Sequence, residues 1–297
     1  MTGIGDDCSV LRIPPDREVL VTTDFSLEGV HFRREWHPPE SVGHRCLTRG
    51  LSDIAAMGGE PLAAFLSLAL PAKLPQRWVD GFLKGFLELA KQFGVELAGG
   101  DTSQSLAGIQ GDVVVLGSIP KGKATLRSGA RPGDRIYVTG ALGAAAATLD
   151  LLCSGRKKKL QPTLFPGHFF PQPRIDVGRI LREKKIASAM IDISDGLSTD
   201  LRHVCEESGV GAVAWEETVP RATLGRRGEP VDLRFALHGG DDYELLFTAA
   251  ERVRVPSEIG GVRITAIGRI MRRRQVVLIH TNHSSSRLEP LGWEHFR

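Results

Sequence analysis

The chain has 297 residues, 41% hydrophobic and 25% charged, the proportions of an ordinary soluble globular protein with room for two domains. A formal net charge of +3 is too mild to point to nucleic acid, and no apolar run is long enough for a signal peptide or a membrane span, so neither partner is expected. The cysteines, Cys8, Cys46, Cys153 and Cys205, are widely separated and form no C-x-x-C pair; this argues against a disulfide framework or zinc site and for a reducing, cytoplasmic setting.

Val19 to Thr23 reads as a buried strand ending at Asp24. Pro39 to Met57 reads as a helix, with Val42, Cys46, Leu47, Leu51 and Ile54 at three-to-four spacing, prolines at its start and Gly58-Gly59 at its end. Leu62 to Leu70 is a second strand. Gln76 to Phe93 is a second helix, striped by Trp78, Phe82, Phe86, Leu89, Ala90 and Phe93 and closed by Gly94. A short strand, Val95 to Ala98, leads into Gly99-Gly100-Asp101, and Asp112 to Ile119 is the last strand of this half. That order makes a mixed sheet with helices on one face.

Lys121-Gly122-Lys123 is the best linker, dividing the chain into residues 1–123 and 124–297. Beyond it the expected elements are a strand Arg135–Thr139, an alanine-rich helix ending near Cys153, and a loop over residues 154–172. A helix Arg174–Glu183, a strand Ala189–Ile193, a helix Leu197–Glu207 and strands at Tyr243–Thr248, Ile264–Ile270 and Gln275–Ile279 follow. The basic runs Arg156–Lys159 and Arg272–Arg274 read as solvated loops.

Aspartate recurs at strand ends and beside glycine: Gly5-Asp6-Asp7, Thr23-Asp24, Gly100-Asp101, Asp192-Ile193-Ser194-Asp195-Gly196 and Gly240-Asp241-Asp242, with Asp53 on the first helix. Strand ends gather at one edge of a sheet, where α/β proteins bind ligands. Gathered carboxylates repel one another, and Mg²⁺ offsets that repulsion while bridging carboxylate to phosphate oxygen. Glycines let backbone N–H groups approach phosphate. The pattern points to a metal-bridged phosphate site that handles ATP, without a P-loop, a nucleophile elbow or an H-E-x-x-H zinc motif.

In order, Gly3-Ile4-Gly5-Asp6-Asp7, Thr22-Thr23-Asp24, Glu28-Gly29-Val30-His31-Phe32, Leu51-Ser52-Asp53-Ile54-Ala55-Ala56-Met57-Gly58, Gly99-Gly100-Asp101-Thr102, Arg127-Ser128-Gly129-Ala130, Ile191-Asp192-Ile193-Ser194-Asp195-Gly196, Gly239-Gly240-Asp241-Asp242-Tyr243-Glu244-Leu245 and Gly292-Trp293-Glu294-His295-Phe296 resemble the thiamine-monophosphate kinases. The resemblance covers essentially the whole chain. It implies an α+β, two-domain fold of the aminoimidazole-ribonucleotide-synthetase type, with mixed sheets and helices packed on one face, paired into a homodimer through the N-terminal halves. The implied reaction is ATP plus thiamine monophosphate giving ADP plus thiamine diphosphate. By the same resemblance Asp7, Thr23, Asp24, Asp53, Asp101, Asp192 and Asp195 are the magnesium set. Gly100, Asp101, Arg127 and Ser194 meet ATP, and His31, Asp241 and Trp293 meet thiamine monophosphate. No catalytic residue beyond metal and phosphate ligands is implied, because the acceptor phosphate already carries charge.

Two departures stand out. Family members carry a helix before the Gly-Ile-Gly-Asp-Asp loop, which here starts at Gly3; the expectation is a late-called start or a shortened chain. Asp241 stands where the family's glutamate is expected, one methylene shorter. The alternatives are another ATP-dependent enzyme of the superfamily and a non-catalytic nucleotide-binding paralogue. A selenophosphate synthetase would show a lysine near its N-terminal cysteine, and none precedes Lys73; a hydrogenase-maturation dehydratase would end in cysteine, and this chain ends in Phe296-Arg297.

Overall fold

The structure is a computed structural model that describes residues 3–4, 8–155, 160–224 and 228–294. Asp6, Asp7, the basic run Arg156–Lys159 and the terminal His295 and Phe296 lie outside the described residues.

The first half contains β1 (Arg17–Leu27), α1 (Pro39–Ala56), β2 (Glu60–Pro71), α2 (Gln76–Gln92), β3 (Glu96–Ser105) and β4 (Gln110–Pro120). The strands form one mixed sheet in the order β1-β4-β2-β3, antiparallel except for the β2–β3 pair. β3 runs further than its apolar residues predict: Asp101 to Ser105 are polar, yet they stay in register against Ser67 to Pro71. Backbone pairing alone carries the strand there.

α1 and α2 cover one face of this sheet. Their crossing is very close, because a Cβ on Gly43 would lie 1.9 Å from the Phe82 carbonyl oxygen and one on Gly85 would lie 1.9 Å from that of Glu40. Among the described residues nothing comparable covers the β1 part of the opposite face. Successive strand residues point to opposite sides, so β1 turns Leu20, Thr22, Asp24 and Ser26 toward the helices and leaves Val19, Val21 and Phe25 exposed.

The second half contains β5 (Arg135–Thr139), α3 (Ala144–Cys153), α4 (Pro166–Phe169), α5 (Ile175–Glu183), β6 (Ala189–Ile193) and α6 (Leu197–Ser208). It continues with β7 (Gly211–Trp215), α7 (Leu233–His238), β8 (Glu244–Ala249), β9 (Glu258–Ile259), β10 (Val262–Met271), β11 (Val276–Ile279) and β12 (Ser285–Arg287). Its mixed sheet runs β12-β11-β7-β10-β5-β8-β6, with β9 paired to β10. Of the pieces the sequence did not announce, β7 reads Gly-Ala-Val-Ala-Trp, α7 spans under two turns, and α4 is one turn inside a segment expected to be loop.

The two halves share a core. One buried cluster joins Cys46, Leu47, Leu51 and Ile54 of α1 to Val177 and Leu181 of α5 and to Leu245 and Phe247 of β8. Gly178 of α5 lies against the α1 backbone, where a Cβ would come within 2.1 Å of the Ala55 carbonyl oxygen. α1 is therefore wedged between its own sheet and the second half, and its polar positions face whatever that junction holds.

Candidate active site at the junction of the halves

Asp24 of β1 and Asp53 of α1 meet on the covered side of the first sheet, with their carboxyl groups within hydrogen-bonding reach of each other. Thr22, two residues before Asp24 and so on the same face, donates its hydroxyl to Asp53. From the second half comes Asp192 near the end of β6, buried and held by a 2.7 Å hydrogen bond from Ser52 Oγ. Burial, then the charge of Asp53, pushes both Asp24 and Asp192 up to about 7. Burial raises Asp53 as well, opposed by the Thr22 hydroxyl and by Arg127. Several perturbed acids from both halves in one place mark a functional site better than any one motif does.

The segment after β6 is gripped through its backbone. Tyr243 N–H donates to Ile193 O at 2.9 Å, Asp241 N–H to Ser194 O at 2.8 Å and Trp293 N–H to Asp195 O at 3.0 Å. On the other side, buried Asp200 accepts from the Asp195 and Gly196 N–H groups, closing the start of α6. Gly292 fits only because it lacks a side chain: a Cβ there would sit 2.1 Å from Asp195 O. Half-exposed Trp293 is thereby fixed against the Asp195 loop.

Asp241 has a left-handed backbone (φ 65°) and looks toward α1. Its Oδ2 accepts from Arg45 Nη2 at 2.7 Å; its Oδ1 accepts from Tyr243 Oη at 2.6 Å and Arg49 Nη2 at 3.2 Å. Burial would raise this carboxyl, but the two guanidinium groups and the phenol outweigh it and hold the pKa below the usual carboxylate range. Arg45, Arg49 and Ser52 are spaced four and three apart, one stripe of α1. The apolar stripe of α1 announces neither arginine, and the Leu51-Ser52-Asp53 segment gives Ser52 no role of its own. The signal was present: arginines at two positions that the helical period turns inward.

The remaining expected residues are distributed as follows. Arg127, in a 3₁₀ turn just past the linker, is close enough to bias Asp53 and Asp192. Thr23, expected in the metal set, points its hydroxyl to the opposite face, 2.8 Å from Asp112 Oδ1; strand alternation gives the place beside Asp53 to Thr22 instead. Gly100 and Asp101 lie on β3, at the far edge from β1. Gly100 shares a transverse row with Asp24, Val113 and Leu66, so three strand spacings, ~14 Å, separate it from Asp24. Asp101 accepts from the Thr102 N–H at 2.8 Å and does not join the central carboxyl group. His31 follows β1, its Nδ1 accepting from the Leu27 N–H at 3.0 Å, which places the ring proton on Nε2.

The donor set is entirely hard oxygen, and two of its carboxyls crowd to hydrogen-bonding distance, an arrangement that calls for a proton or a cation between them. Among the described residues no three His, Cys, Asp or Glu side chains converge on one point. Among the described residues Asp24 and Asp53 offer two crowded carboxylates, which fits an ion completed by further oxygens, from water and phosphate among others.

The two mixed-sheet halves correspond to the two domains of the AIR synthase related proteins: residues 5–119 match their N-terminal domain and residues 131–280 their C-terminal domain. The chain is 39% identical to the thiamine-monophosphate kinase of Salmonella typhimurium over 279 residues, 91% of this chain and 84% of that one. The crystal structure of thiamine-monophosphate kinase from Stenotrophomonas maltophilia K279a superposes with a TM-score of 0.84 at 35% identity, covering 94% of this chain and 90% of that one. A structure described as AaThiL complexed with AMPPCP and TMP superposes with a TM-score of 0.83 at 33% identity, covering 100% and 93%. The chain belongs to the thiamine-monophosphate kinase family, enzymes of the kinase class.

Proposed function

We propose that this protein transfers the terminal phosphoryl group of ATP to thiamine monophosphate, giving ADP and thiamine diphosphate, and that Asp24, Asp53, Asp192 and Asp195 are the described residues that would hold Mg²⁺. The observation that carries the reading is the paired carboxyls of Asp24 and Asp53, set against buried Asp192 from the other half. A site so acidic binds phosphates only through cations, and the family whose acceptor is itself a phosphate needs that neutralisation twice. The two relatives' names point the same way.

Bound Mg²⁺ supplies charge neutralisation on the transferring phosphoryl group. The chain's own residues do the rest. Arg127 offers a planar fork to phosphate oxygens. Thr22 and Ser52 orient the carboxyls of Asp53 and Asp192. Trp293 offers its ring to the flat, cationic part of the substrate, and His31 presents an Nε2–H donor. Gly100 and Asp101, at the far edge of the sheet, are assigned to the nucleotide along with Ser194. The acceptor oxygen is ionised at neutral pH, so attack in line with the leaving ADP requires alignment and no general base.

The division at residues 123/124 belongs to the same reading, as does pairing of two chains through the face of the first sheet turned from the helices, where Val19, Val21 and Phe25 stand exposed. Among the described residues no helix is long and apolar enough to cross a membrane. The deciding experiment incubates the protein with ATP, Mg²⁺ and thiamine monophosphate and follows thiamine diphosphate and ADP chromatographically. A folded sample that binds ATP but forms no thiamine diphosphate overturns the reading.

A further inference from the structure

Arg49 is a cation placed inside a carboxylate site. Its side chain is 13% exposed, and it lies near enough to Asp24 to lower that group's pKa. A guanidinium carries five N–H donors. Among the described residues Arg49 spends one of them, through Nη2 on Asp241 Oδ1. Arg45, four residues earlier, spends two, Nη2 on Asp241 and Nη1 on the His168 carbonyl oxygen at 2.5 Å, and at 4% exposed it is the more deeply enclosed of the two. Asp241 in turn has both oxygens occupied by donors from Arg45, Arg49 and Tyr243. Such a carboxylate has little left to offer a ligand, whereas the arginine it holds has most of its donors unspent.

Resting on the function proposed above, we infer that Arg49 is a phosphate-binding residue for the acceptor substrate, and that Asp241 acts through it as a positioning residue. The arginine lies near Asp24 and is bonded to Asp241 of the second half, so an anion bound beside the acids meets a fixed positive charge as well as any bound cation. Its planar fork suits two phosphate oxygens at once. The shorter side chain of Asp241 is explained in the same terms, since its reach is toward α1.

The test is calorimetric titration of thiamine monophosphate, and separately of unphosphorylated thiamine, into the wild type, Arg49→Met, Arg49→Lys, Asp241→Asn and Asp241→Glu, each with Mg²⁺ and a non-hydrolysable ATP analogue. Arg49→Met is expected to weaken thiamine monophosphate binding roughly ten- to hundredfold, the worth of a charge-assisted hydrogen bond, while thiamine binding stays level. Arg49→Lys binds the phosphorylated compound more tightly than Arg49→Met. In a parallel turnover assay with ATP itself, Asp241→Asn raises KM for thiamine monophosphate more than it lowers kcat, and Asp241→Glu restores most of the loss. Unchanged thiamine monophosphate affinity in Arg49→Met, an equal loss for thiamine, or equal weakness of the Met and Lys variants overturns the inference. Where Arg49→Met does not fold, Arg49→Lys against Asp241→Asn decides, because a Lys variant with wild-type affinity and no change in Asp241→Asn removes both residues from substrate binding. A wild type that makes no thiamine diphosphate and binds no thiamine monophosphate is a separate result and strikes at the proposed function itself.

Discussion

Ser52 Oγ donates to Asp192 Oδ2 across 2.7 Å, and both groups are buried. The bond joins the helix of one half to the sheet of the other at the place where the acids gather. It belongs to the same α1 stripe as Arg45 and Arg49, both of which reach Asp241. The second half is therefore tied to α1 by polar bonds that end on acids in or beside the site, and domain docking and site assembly are one event.

Removing that tie should be felt in both. Ser52→Ala strips a buried carboxyl of its donor, a cost of about 1–3 kcal/mol. Thermal unfolding should shift downward as a single transition, and turnover should fall while ATP binding persists. An unchanged midpoint would show that water or another donor replaces the hydroxyl.

Asp53 shares its hydrogen-bonding distance with Asp24 and takes the Thr22 hydroxyl. Asp53→Asn keeps shape and removes charge. The fold should survive, since burial already opposes ionisation of this group. Turnover should drop by about two orders of magnitude or more, as when a charge-stabilising group is lost, and the Mg²⁺ concentration for half-maximal rate should rise. Near-normal turnover removes Asp53 from the metal set.

These residues also show where sequence reading succeeds and where it stops. α1 was legible almost to the residue, because prolines, an apolar stripe and a closing glycine pair agree on its span. β5 and β6 were equally clear. β7 was not, since Gly-Ala-Val-Ala-Trp offers too little bulk to mark a strand and pairs only in the finished sheet. The acids were visible as a set because aspartate beside glycine repeats. Their partners were not: Arg45, Arg49 and Ser52 gain their meaning from a helix crossing into the other half. Thr22 and Thr23 differ only by strand parity, which a two-residue motif does not reveal.

The α1–α2 crossing rests on glycine. Gly43→Ala would bring Cβ to 1.9 Å from Phe82 O, and Gly85→Ala would do the same at Glu40 O, both rigid backbone atoms. The helices must separate, opening the core around Phe82 and Phe86. Each variant should lose about 3 kcal/mol or more, read as a lower midpoint in denaturant. Gly111, where an added Cβ would meet nothing nearer than 3.5 Å and the backbone is not left-handed, makes the matching control for steric effects.

Asp242 supplies the pH signature. It accepts the Gly143 N–H at 2.7 Å at the start of α3, and burial pushes its pKa up to about 8 from an ordinary 3.8. A carboxyl raised in the folded state holds a proton there that the unfolded chain releases at lower pH, so its stabilising effect is complete below about 4 and fades as pH rises toward 8. Stability should decline across pH 5 to 9, with the last part of the loss on the order of 5 °C in midpoint. Asp242→Asn resembles the protonated acid and should match the wild type near pH 4 while losing less between there and pH 9. Parallel curves for the two proteins would assign the decline to other groups.

Gly292 sets the last constraint, on the segment that carries Trp293. Its N–H donates to Thr199 Oγ1 at 3.2 Å, and an added Cβ would lie 2.5 Å from that same oxygen and 2.1 Å from Asp195 O. Gly292→Ala must lift the segment off the loop and break the Trp293 N–H bond to Asp195 O. Few buried groups depend on this segment, so the unfolding midpoint should move by only about 1–2 °C. KM for thiamine monophosphate should rise several-fold while KM for ATP holds, because Trp293 is assigned to the acceptor alone. Equal changes in both constants would show that the segment braces the Asp195 loop for either substrate, and no change in either would take Trp293 out of the site.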